Sequence, residues 1–287
     1  MEVKVSAGFV TYNPNIELLG GAIESIRCQV ETIYIVDNKS QNIDEIILLV
    51  SSLDNVILFR NDKNLGIAAA LNQIADASEG GGFQWFLTLD QDSVCAPNMM
   101  DEYYKCLKDN SIGMICPTIH LRIHGGKSLS EPNKNNKYVE TAITSGCLVR
   151  VAAWKSVNGF WDDLFIDKVD DDFCYSLREK GWRILQTGLV VLEHQIGNPK
   201  KHSFLLWSYY TDSYPAFRYY YIARNTVIIY KLHKNTGCHS SIILAKKFLK
   251  ILMGENNRIP KLKELCRGII TGIKWALKKP YNRNKIQ

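Results

Sequence analysis

The run VKVSAGFVTYNP (residues 3–14) decides the fold, because an apolar strand-like segment ends there at Asn13 and Pro14, a pair that begins a helix. The same order of apolar run, polar tip and amphipathic segment recurs along the first 92 residues. Strands that alternate with helices in this way are typical of an α/β fold with a mostly parallel sheet. The further strands are predicted over TIYIVDN (32–38), NVILFRN (55–61) and FQWFLTLDQD (83–92).

Polar residues lie at the carboxyl end of each of the four predicted strands. They are Tyr12–Asn13, Asp37–Asn38, Asn61–Asn64 and Asp90–Asp92. The carboxyl ends of parallel strands meet at one edge of an open sheet, and ligands bind at that edge. The sequence therefore predicts a binding site that is built from these four tips.

Composition and missing motifs exclude several classes of protein. With 46% hydrophobic and 22% charged residues, the chain is too apolar to be intrinsically disordered. The segment TYNPNIELLGG lacks the glycine spacing of a dinucleotide or Walker phosphate loop, which argues against a nicotinamide dehydrogenase. No apolar run reaches the roughly 18 residues of a membrane-spanning helix, and the eight cysteines form no CxxC pair. We expect a cytoplasmic protein with reduced cysteines and no membrane-spanning segment.

The charge of the chain is concentrated near its end. Residues 238–287 hold 12 Lys/Arg and 2 Asp/Glu, whereas the preceding 237 residues hold 23 and 27. Within this basic tail, SIILAKKFLKILMG (241–254) and KLKELCRGIITGIKWALKK (261–279) have helical apolar spacing. Basic amphipathic helices suit an anionic membrane surface. Packing on the rest of the chain, dimerisation and nucleic-acid binding are the alternatives.

The segment LDQDS (89–93) places two carboxylates, Asp90 and Asp92, directly after a buried strand. Such a pair repels unless a cation or hydrogen bonds hold it, and oxygen ligands are what Mg²⁺ or Mn²⁺ prefers. A bound metal would neutralise charge on a nucleoside diphosphate leaving group. A solvated turn is the alternative. Asp37 alone is compatible with a ribose contact or with a simple turn residue.

A second acidic cluster lies in FIDKVDDDFC (165–174). Successive acids after an apolar run favour a helix start, where negative charge lies near the positive end of the helix dipole. Four carboxylates within six residues also suit a general base, which must be held beside the alcohol that it deprotonates. The polar composition of residues 120–140 predicts a hairpin or loop, which would lie near an acceptor.

Taken together, these motifs resemble a known family. They are VTYNP, VDN, NLGIAAALN (64–72), LDQDS, TSGCLVR (144–150), FIDKVDDDFC and YYYIARN (219–225). In this order they resemble the inverting family 2 glycosyltransferases of GT-A fold, a Rossmann-like mixed sheet flanked by helices. Within that family the chain is most similar to the bacterial rhamnosyltransferases. The resemblance covers about residues 3–230.

The resemblance implies a donor site for a nucleotide sugar. At the nucleotide, the predicted residues are Thr11, Tyr12 and Asn13, with Asp37 at the base or ribose. Asn64 and Gly66 would lie beside the phosphates, and Arg224 at the diphosphate. The ribose, donor sugar and metal would contact Asp90, Gln91 and Asp92, and the donor sugar would also contact Ser145 and Gly146.

The resemblance also implies the catalytic and metal-binding residues. Aligned with the family, the catalytic base is Asp170, with Asp172 and Asp167 as alternatives. Asp92 and His194 are the predicted ligands of Mg²⁺ or Mn²⁺. The implied reaction is a metal-dependent single displacement with inversion.

The implied substrates are dTDP-β-L-rhamnose and a lipid-linked precursor of a bacterial surface polysaccharide, such as an O-antigen, capsule or cell-wall rhamnan.

We expect a GT-A domain over 1–235, with a nucleotide-binding half (1–92) and an acceptor half (93–235), and a basic helical tail over 236–287. The tail would attach the enzyme to the inner face of the bacterial membrane or form a homo-oligomer; nucleic acid is not an expected partner. The rivals are a transferase using a UDP-hexose or UDP-N-acetylhexosamine, a nucleotidyltransferase and a non-catalytic scaffold.

Overall fold

The computed structural model describes residues 3–122, 135–195, 200–204, 207–211, 214–233 and 240–278. The chain divides into two compact units. The sheet unit comprises Met1–Asp163 and Asp170–Gln195, and the helical unit comprises Leu164–Val169 and Ile196–Gln287.

The sheet unit contains one mixed sheet of eight described strands, in the order β3-β2-β1-β4-β7-β5-β8-β6. The strands are β1 (Val5–Thr11), β2 (Thr32–Asp37), β3 (Val56–Arg60), β4 (Trp85–Asp90), β5 (Ile112–Arg122), β6 (Lys137–Tyr138), β7 (Cys147–Arg150) and β8 (Arg183–Gln195). The first four are parallel to one another, as the sequence predicts. β7 pairs antiparallel with β4, with Thr88 opposite Cys147, so the start of β7 lies at the carboxyl end of β4.

Helices connect the strands of the sheet unit. They are α1 (Ile16–Ile26), α2 (Ile43–Val50), α3 (Ile67–Gly80), α4 (Met99–Cys106), α5 (Val151–Ser156) and α6 (Val169–Glu179), with a 3₁₀ turn at Asp162–Leu164. α1 begins where Asn15 accepts a hydrogen bond from the amide of Leu18, which satisfies an otherwise unbonded donor of the first turn. Its buried face packs into a core made with β1, β2 and β4. This packing fixes the sheet edge that carries the predicted site.

The helical unit contains α7 (Ala216–Leu232), α8 (Ser240–Gly254), α9 (Arg258–Leu277) and the hairpin of β9 (Lys200–Phe204) with β10 (Trp207–Thr211). α7 and α9 approach closely at two glycines, since a Cβ at Gly268 would lie 2.3 Å from the carbonyl oxygen of Tyr220 and one at Gly272 would lie 2.8 Å from that of Arg224. The two helices that we predicted for the basic tail are therefore present. None of the described helices is both long and apolar enough to span a membrane.

Part of the predicted loop at 120–140 lies outside the described residues, which omit 123–134. Seven cysteines fall within the described part of the chain, and all seven are free thiols.

Candidate active site

The ends of β1 and β2 are joined through one buried carboxylate. Asp37 is 1% exposed. Its Oδ1 accepts hydrogen bonds from the hydroxyls of Thr11 (2.9 Å) and Ser40 (2.5 Å), and its Oδ2 accepts one from the Ser40 amide (2.9 Å). Asp37 therefore fixes two neighbouring strand ends, and its predicted contact with a nucleoside stays a prediction.

Tyr12 and Asn13 continue this edge beyond β1. The Tyr12 amide donates to Oε1 of Gln91 at 3.0 Å, so the turn after β4 is bonded to the end of β1. Asn13 has a left-handed backbone (φ 48°), its amide donates to the Ser40 hydroxyl (2.8 Å), and its Oδ1 accepts from the Gln41 amide (2.7 Å). The side chain of Tyr12 is half exposed beside these bonds. The edge is thus rigid around an accessible aromatic ring.

The loop that begins α3 is held by Asn38, which the sequence placed in a polar tip of the sheet but which was not among the predicted donor-site residues. Asn38 is buried, its Nδ2 donates to the Gly66 carbonyl (3.1 Å), and its Oδ1 accepts from the Leu65 amide (3.3 Å). Asn64 accepts a hydrogen bond from the Gly66 amide at 2.9 Å. Gly66 has φ +87°, a conformation that glycine adopts without steric cost. The only sequence signal for Asn38 was its position at the end of the predicted strand 32–38.

Asp90 and Asp92 lie at the end of β4 and are both partly exposed. The Asp90 amide donates to the hydroxyl of Ser145 at 3.1 Å, and that hydroxyl lies 2.7 Å from the hydroxyl of Ser93. Ser145 and Ser93 are buried. The structure therefore brings the predicted donor residue Ser145 against the acidic segment.

The acidic segment could supply a metal ion with carboxylate oxygen, the ligand type that Mg²⁺ and Mn²⁺ prefer. Within the described part of the chain, no group of three or more His, Cys, Asp or Glu side chains is close enough to hold a metal alone. Asp92 is partly exposed and makes no hydrogen bond or ion pair with another described residue, so its carboxylate fits a ligand role. His194 lies in β8, with its backbone in register with Leu121, and its side chain is outside what the structure describes.

The turn before β7 links the acidic segment to Asp170. The Thr144 hydroxyl donates to Oδ1 of Asp170 at 2.9 Å, while the Thr144 carbonyl accepts from the Thr88 hydroxyl at 2.5 Å. Gly146, with φ +78°, donates its amide to the Thr88 carbonyl at 2.7 Å. Because Ser145 contacts the Asp90 amide, neighbouring side chains of one turn contact both acidic segments.

The other two acids considered as a base have different surroundings from the half-buried Asp170. In the helical unit, Asp167 forms an ion pair with Arg218, whose Nη2 donates to Oδ1 (3.0 Å) and whose Nε donates to Oδ2 (3.0 Å). Asp172 is almost completely buried. Asp167 is therefore engaged by an ion pair, and the core closes Asp172 off from an acceptor hydroxyl.

The late motif YYYIARN fixes the backbone of the loop 164–169 within the helical unit. Nδ2 of the buried Asn225 lies within hydrogen-bond distance of the carbonyls of Leu164 (2.9 Å), Ile166 (2.9 Å) and Asp167 (2.8 Å). Arg224 donates to the Leu164 carbonyl (3.2 Å) and to Oδ1 of Asn225 (2.8 Å). The sequence analysis gave Asn225 no role, although it supports this loop. The predicted contact of Arg224 with a diphosphate stays a prediction.

A second asparagine fixes the preceding segment within the sheet unit. Oδ1 of Asn72, in α3, accepts from the Phe160 amide (2.8 Å) and from the Trp154 indole (2.9 Å). Its Nδ2 donates to the Phe160 carbonyl (2.8 Å) and to Oδ1 of Asp162 (2.7 Å). Burial raises the pKa of Asp162; the hydrogen bond from Asn72 opposes this shift and the charge of Asp163 adds to it.

Buried thiols surround the start of α6. Burial raises the pKa of Cys174 well above its usual value, and a hydrogen bond from the Ala142 backbone opposes the shift. Burial also raises the pKa of Cys147, and a hydrogen bond with Cys116 adds to the shift. Thiols with pKa values raised in this way stay protonated at physiological pH, so they are poor nucleophiles and add no negative charge beside Asp170.

Comparison with known proteins agrees with this architecture. Residues 6–150 match the family model described as Glycosyl transferase family 2. The dTDP-rhamnosyl transferase RfbF of Shigella flexneri is 23% identical over a gapped alignment of 301 positions, which covers 96% of this chain and 97% of RfbF.

Two solved structures share the fold at low sequence identity. GalNAc-T7, solved with UDP, GalNAc and Mn²⁺, is 14% identical with a TM-score of 0.58, and the match covers 96% of this chain and 56% of that one. This chain therefore spans about half the length of GalNAc-T7. The mannosyltransferase PcManGT from Pyrobaculum calidifontis, in complex with GDP-Man and Mn²⁺, is 13% identical with a TM-score of 0.58, and the match covers 99% of this chain and 78% of that one.

The mixed sheet and its likeness to these two structures show a GT-A-like fold. This chain belongs to glycosyl transferase family 2. The predicted fold class and the resemblance to that family are thereby confirmed.

Proposed function

We propose that this family 2 glycosyltransferase transfers L-rhamnose from dTDP-β-L-rhamnose, with inversion, to a lipid-linked precursor of a bacterial surface polysaccharide. The donor assignment is supported by the likeness to the rhamnosyl transferase RfbF, which extends over nearly the whole of both chains. The lipid-linked acceptor and a location on the inner face of the membrane are supported by the basic amphipathic helices of the tail.

One observation carries the assignment of Asp170 as the catalytic base. Its carboxylate is half-buried and accepts a hydrogen bond from Thr144, in the same turn whose Ser145 contacts the acidic segment after β4. A base must lie beside the reacting centre, and this turn holds Asp170 on the side of the sheet edge where the donor would bind. Asp167 is occupied by an ion pair and Asp172 is buried.

In the proposed reaction, a carboxylate oxygen of Asp170 takes the proton of an acceptor hydroxyl. The acceptor oxygen forms a bond to the anomeric carbon of the donor sugar. The bond from that carbon to the diphosphate breaks on the opposite face, and its electron pair leaves with dTDP. A β-linked donor therefore gives an α-L-rhamnoside.

The remaining edge residues would bind and orient the donor. Tyr12 offers an exposed ring for a nucleotide base, while Thr11, Asn13 and Asp37 keep the strand ends in place. Asn64 and Gly66 would place the first amides of α3 near the phosphates. Asp92, with His194, would hold Mg²⁺ or Mn²⁺, which neutralises charge on the departing diphosphate.

The donor is tested by thermal unfolding of the full chain with dTDP, UDP and GDP, each with and without Mg²⁺ or Mn²⁺, followed by turnover of the matching nucleotide sugars. We expect a metal-dependent rise in Tm with dTDP and turnover of dTDP-β-L-rhamnose. Preference for UDP and a UDP-sugar would replace the rhamnosyl donor with a hexose or N-acetylhexosamine. Absence of any shift and any turnover would favour a non-catalytic scaffold.

A further inference from the structure

Helix α8 has two apolar faces. One contains Leu244 and Ile251, which are buried in the core of the helical unit. The opposite face is apolar but exposed, with Leu249 exposed to 53% and Met253 to 51%. At 100° per residue these exposed side chains lie on one line with Ile242. Burial in the core accounts for the apolar residues of the first face but not for those of the second.

Helix α9 repeats this arrangement over five turns. Its buried face consists of Leu265, Gly268 and Gly272, together with Lys261. The exposed apolar residues lie 11, 14 and 18 residues after Ile259. Each of these offsets is close to a whole number of helical turns, so the residues form a stripe along the other side. They are Ile259 and Leu277, each 80% exposed, Ile270 (54%) and Ile273 (46%). We call the two lines of exposed side chains on α8 and α9 the apolar stripes.

Positive charge borders both apolar stripes. Lys246 and Lys250 lie beside the stripe of α8, and Lys263 and Lys274 beside that of α9. None of these four lysines forms an ion pair with another described residue.

The two acids of the region are already neutralised. Glu255 is buried and pairs with Lys261 at 2.5 Å, and Glu264 pairs with Arg267 at 2.6 Å. The exposed side of each helix is therefore apolar and cationic, with no excess of negative charge.

We propose that the apolar stripes dock on an anionic lipid bilayer, with their side chains at the boundary between headgroups and acyl chains and the bordering lysines against anionic headgroups. Apolar contact combined with cation–anion contact is the recognition that such a surface provides. A symmetric dimer through the same face would bring like-charged lysine borders together, which opposes association. The inference deepens the proposed function, on which it rests for its purpose, since a lipid-linked acceptor lies in such a bilayer.

The experiment is co-sedimentation of the full chain with vesicles of phosphatidylcholine alone or with 30% phosphatidylglycerol, about that fraction being enough to give a strongly anionic surface. No donor or acceptor is added. We expect binding to the anionic vesicles and little to the neutral ones. In the quadruple variant Leu249→Ser, Met253→Ser, Ile270→Ser and Ile273→Ser, binding should fall at least tenfold.

A matched control changes exposed apolar residues of the sheet unit, Leu48→Ser and Leu189→Ser, and should bind as the unchanged chain does. Replacing the four bordering lysines by glutamine should weaken anionic binding by about fivefold per lysine and leave the weak neutral binding unchanged. Far-UV circular dichroism of each variant checks that the helices remain folded.

Equal binding by the stripe variant and the control would overturn the proposal. It would also be overturned if the unchanged chain ignored anionic vesicles and sedimented as a dimer that the stripe variant converts to a monomer, because the occupant would then be a second copy. Turnover of donor onto a soluble acceptor is measured separately. Loss of that activity with intact vesicle binding would count against the proposed function and not against the docking surface.

Discussion

Two regions of the molecule are built by different means: the edge formed by the ends of β1, β2 and β4, and the connecting run of residues 160–168. The edge follows from regular parallel pairing, which places Thr11 beside Asp37 and Val10 beside Asp90. The connecting run is irregular, and three of its non-glycine residues, Phe165, Asp167 and Lys168, have left-handed backbones.

The connecting run depends on hydrogen bonds from distant helices. Asn72 holds its first part within the sheet unit, and Asn225 holds its second part within the helical unit. Left-handed non-glycine residues cost about 1 kcal/mol or more each, so the surrounding bonds must fix them. We therefore expect the edge and the turn at 144–146 to contact the substrates, and the connecting run to have a structural role. Substitutions at the edge should therefore change activity, and those in the run should change stability.

The largest expected effect is on activity, in Asp170→Asn. The new amide oxygen still accepts the hydrogen bond from Thr144, so the fold should be unchanged, but the side chain no longer takes a proton. Loss of a general base lowers turnover by about 10² to 10⁴-fold. Steady-state turnover and calorimetric nucleotide binding check this, with the exposed Asp54→Asn as control. Turnover within threefold of the unchanged chain would remove Asp170 from the mechanism.

The second expected effect is on stability, in Asn225→Ala. The buried amide contacts three loop carbonyls, and leaving buried polar groups unsatisfied should lower the free energy of unfolding by about 3 kcal/mol. Urea denaturation measures it. Asn256→Ala, on an exposed residue, is the matched control and should have little effect. Unchanged stability in Asn225→Ala would show that the connecting run does not need its support.

A smaller effect is expected at the edge, in Thr144→Val. The Thr144 hydroxyl holds Oδ1 of Asp170 in place, so its loss should lower turnover about tenfold, corresponding to one hydrogen bond to a charged group. Steady-state turnover of Thr144→Val measures the effect. Thr144→Ser keeps the hydroxyl and should restore turnover. Turnover in Thr144→Val equal to that of the unchanged chain would mean that the contact does not act on the base.

The smallest effect is expected in the connecting run, in Asp162→Asn. Burial raises the pKa of Asp162, so the folded state disfavours its charged form and stability falls as pH rises from the ordinary aspartate range through the raised pKa. The amide should therefore stabilise the protein at pH 7 by less than about 1 kcal/mol, because Asp162 is exposed and solvent screens its charge. The gain should vanish at pH 3, where the acid is protonated in both states. Thermal unfolding at both values checks the sign.

Sequence patterns predicted the edge because it depends on local periodicity and the rules of parallel pairing. Asp37 and Asp90 were placed correctly at strand ends from the alternation of apolar runs and polar tips. The family could also be predicted from the sequence, because its motifs occur in order along the chain, and residues 6–150 match the family model.

The remaining geometry depends on contacts between residues far apart in the chain. Thr144 and Asp170 are 26 residues apart, and Asn225 lies 61 residues from Leu164. No local pattern indicates that Thr144 and Ser145, in the turn before β7, would contact Asp170 and the segment after β4. The apolar stripes were equally hidden, because helical spacing shows that a helix has apolar positions but not which of them the core covers.

We propose above all that this glycosyltransferase acts with inversion and has its base at Asp170. The most direct test is NMR of the product that the full chain forms from dTDP-β-L-rhamnose and a lipid-linked glycan acceptor, alongside Asp170→Asn. We expect an α-L-rhamnoside from the unchanged chain and none above background from the variant. A β-linked product, or equal product from Asp170→Asn, would contradict the proposal.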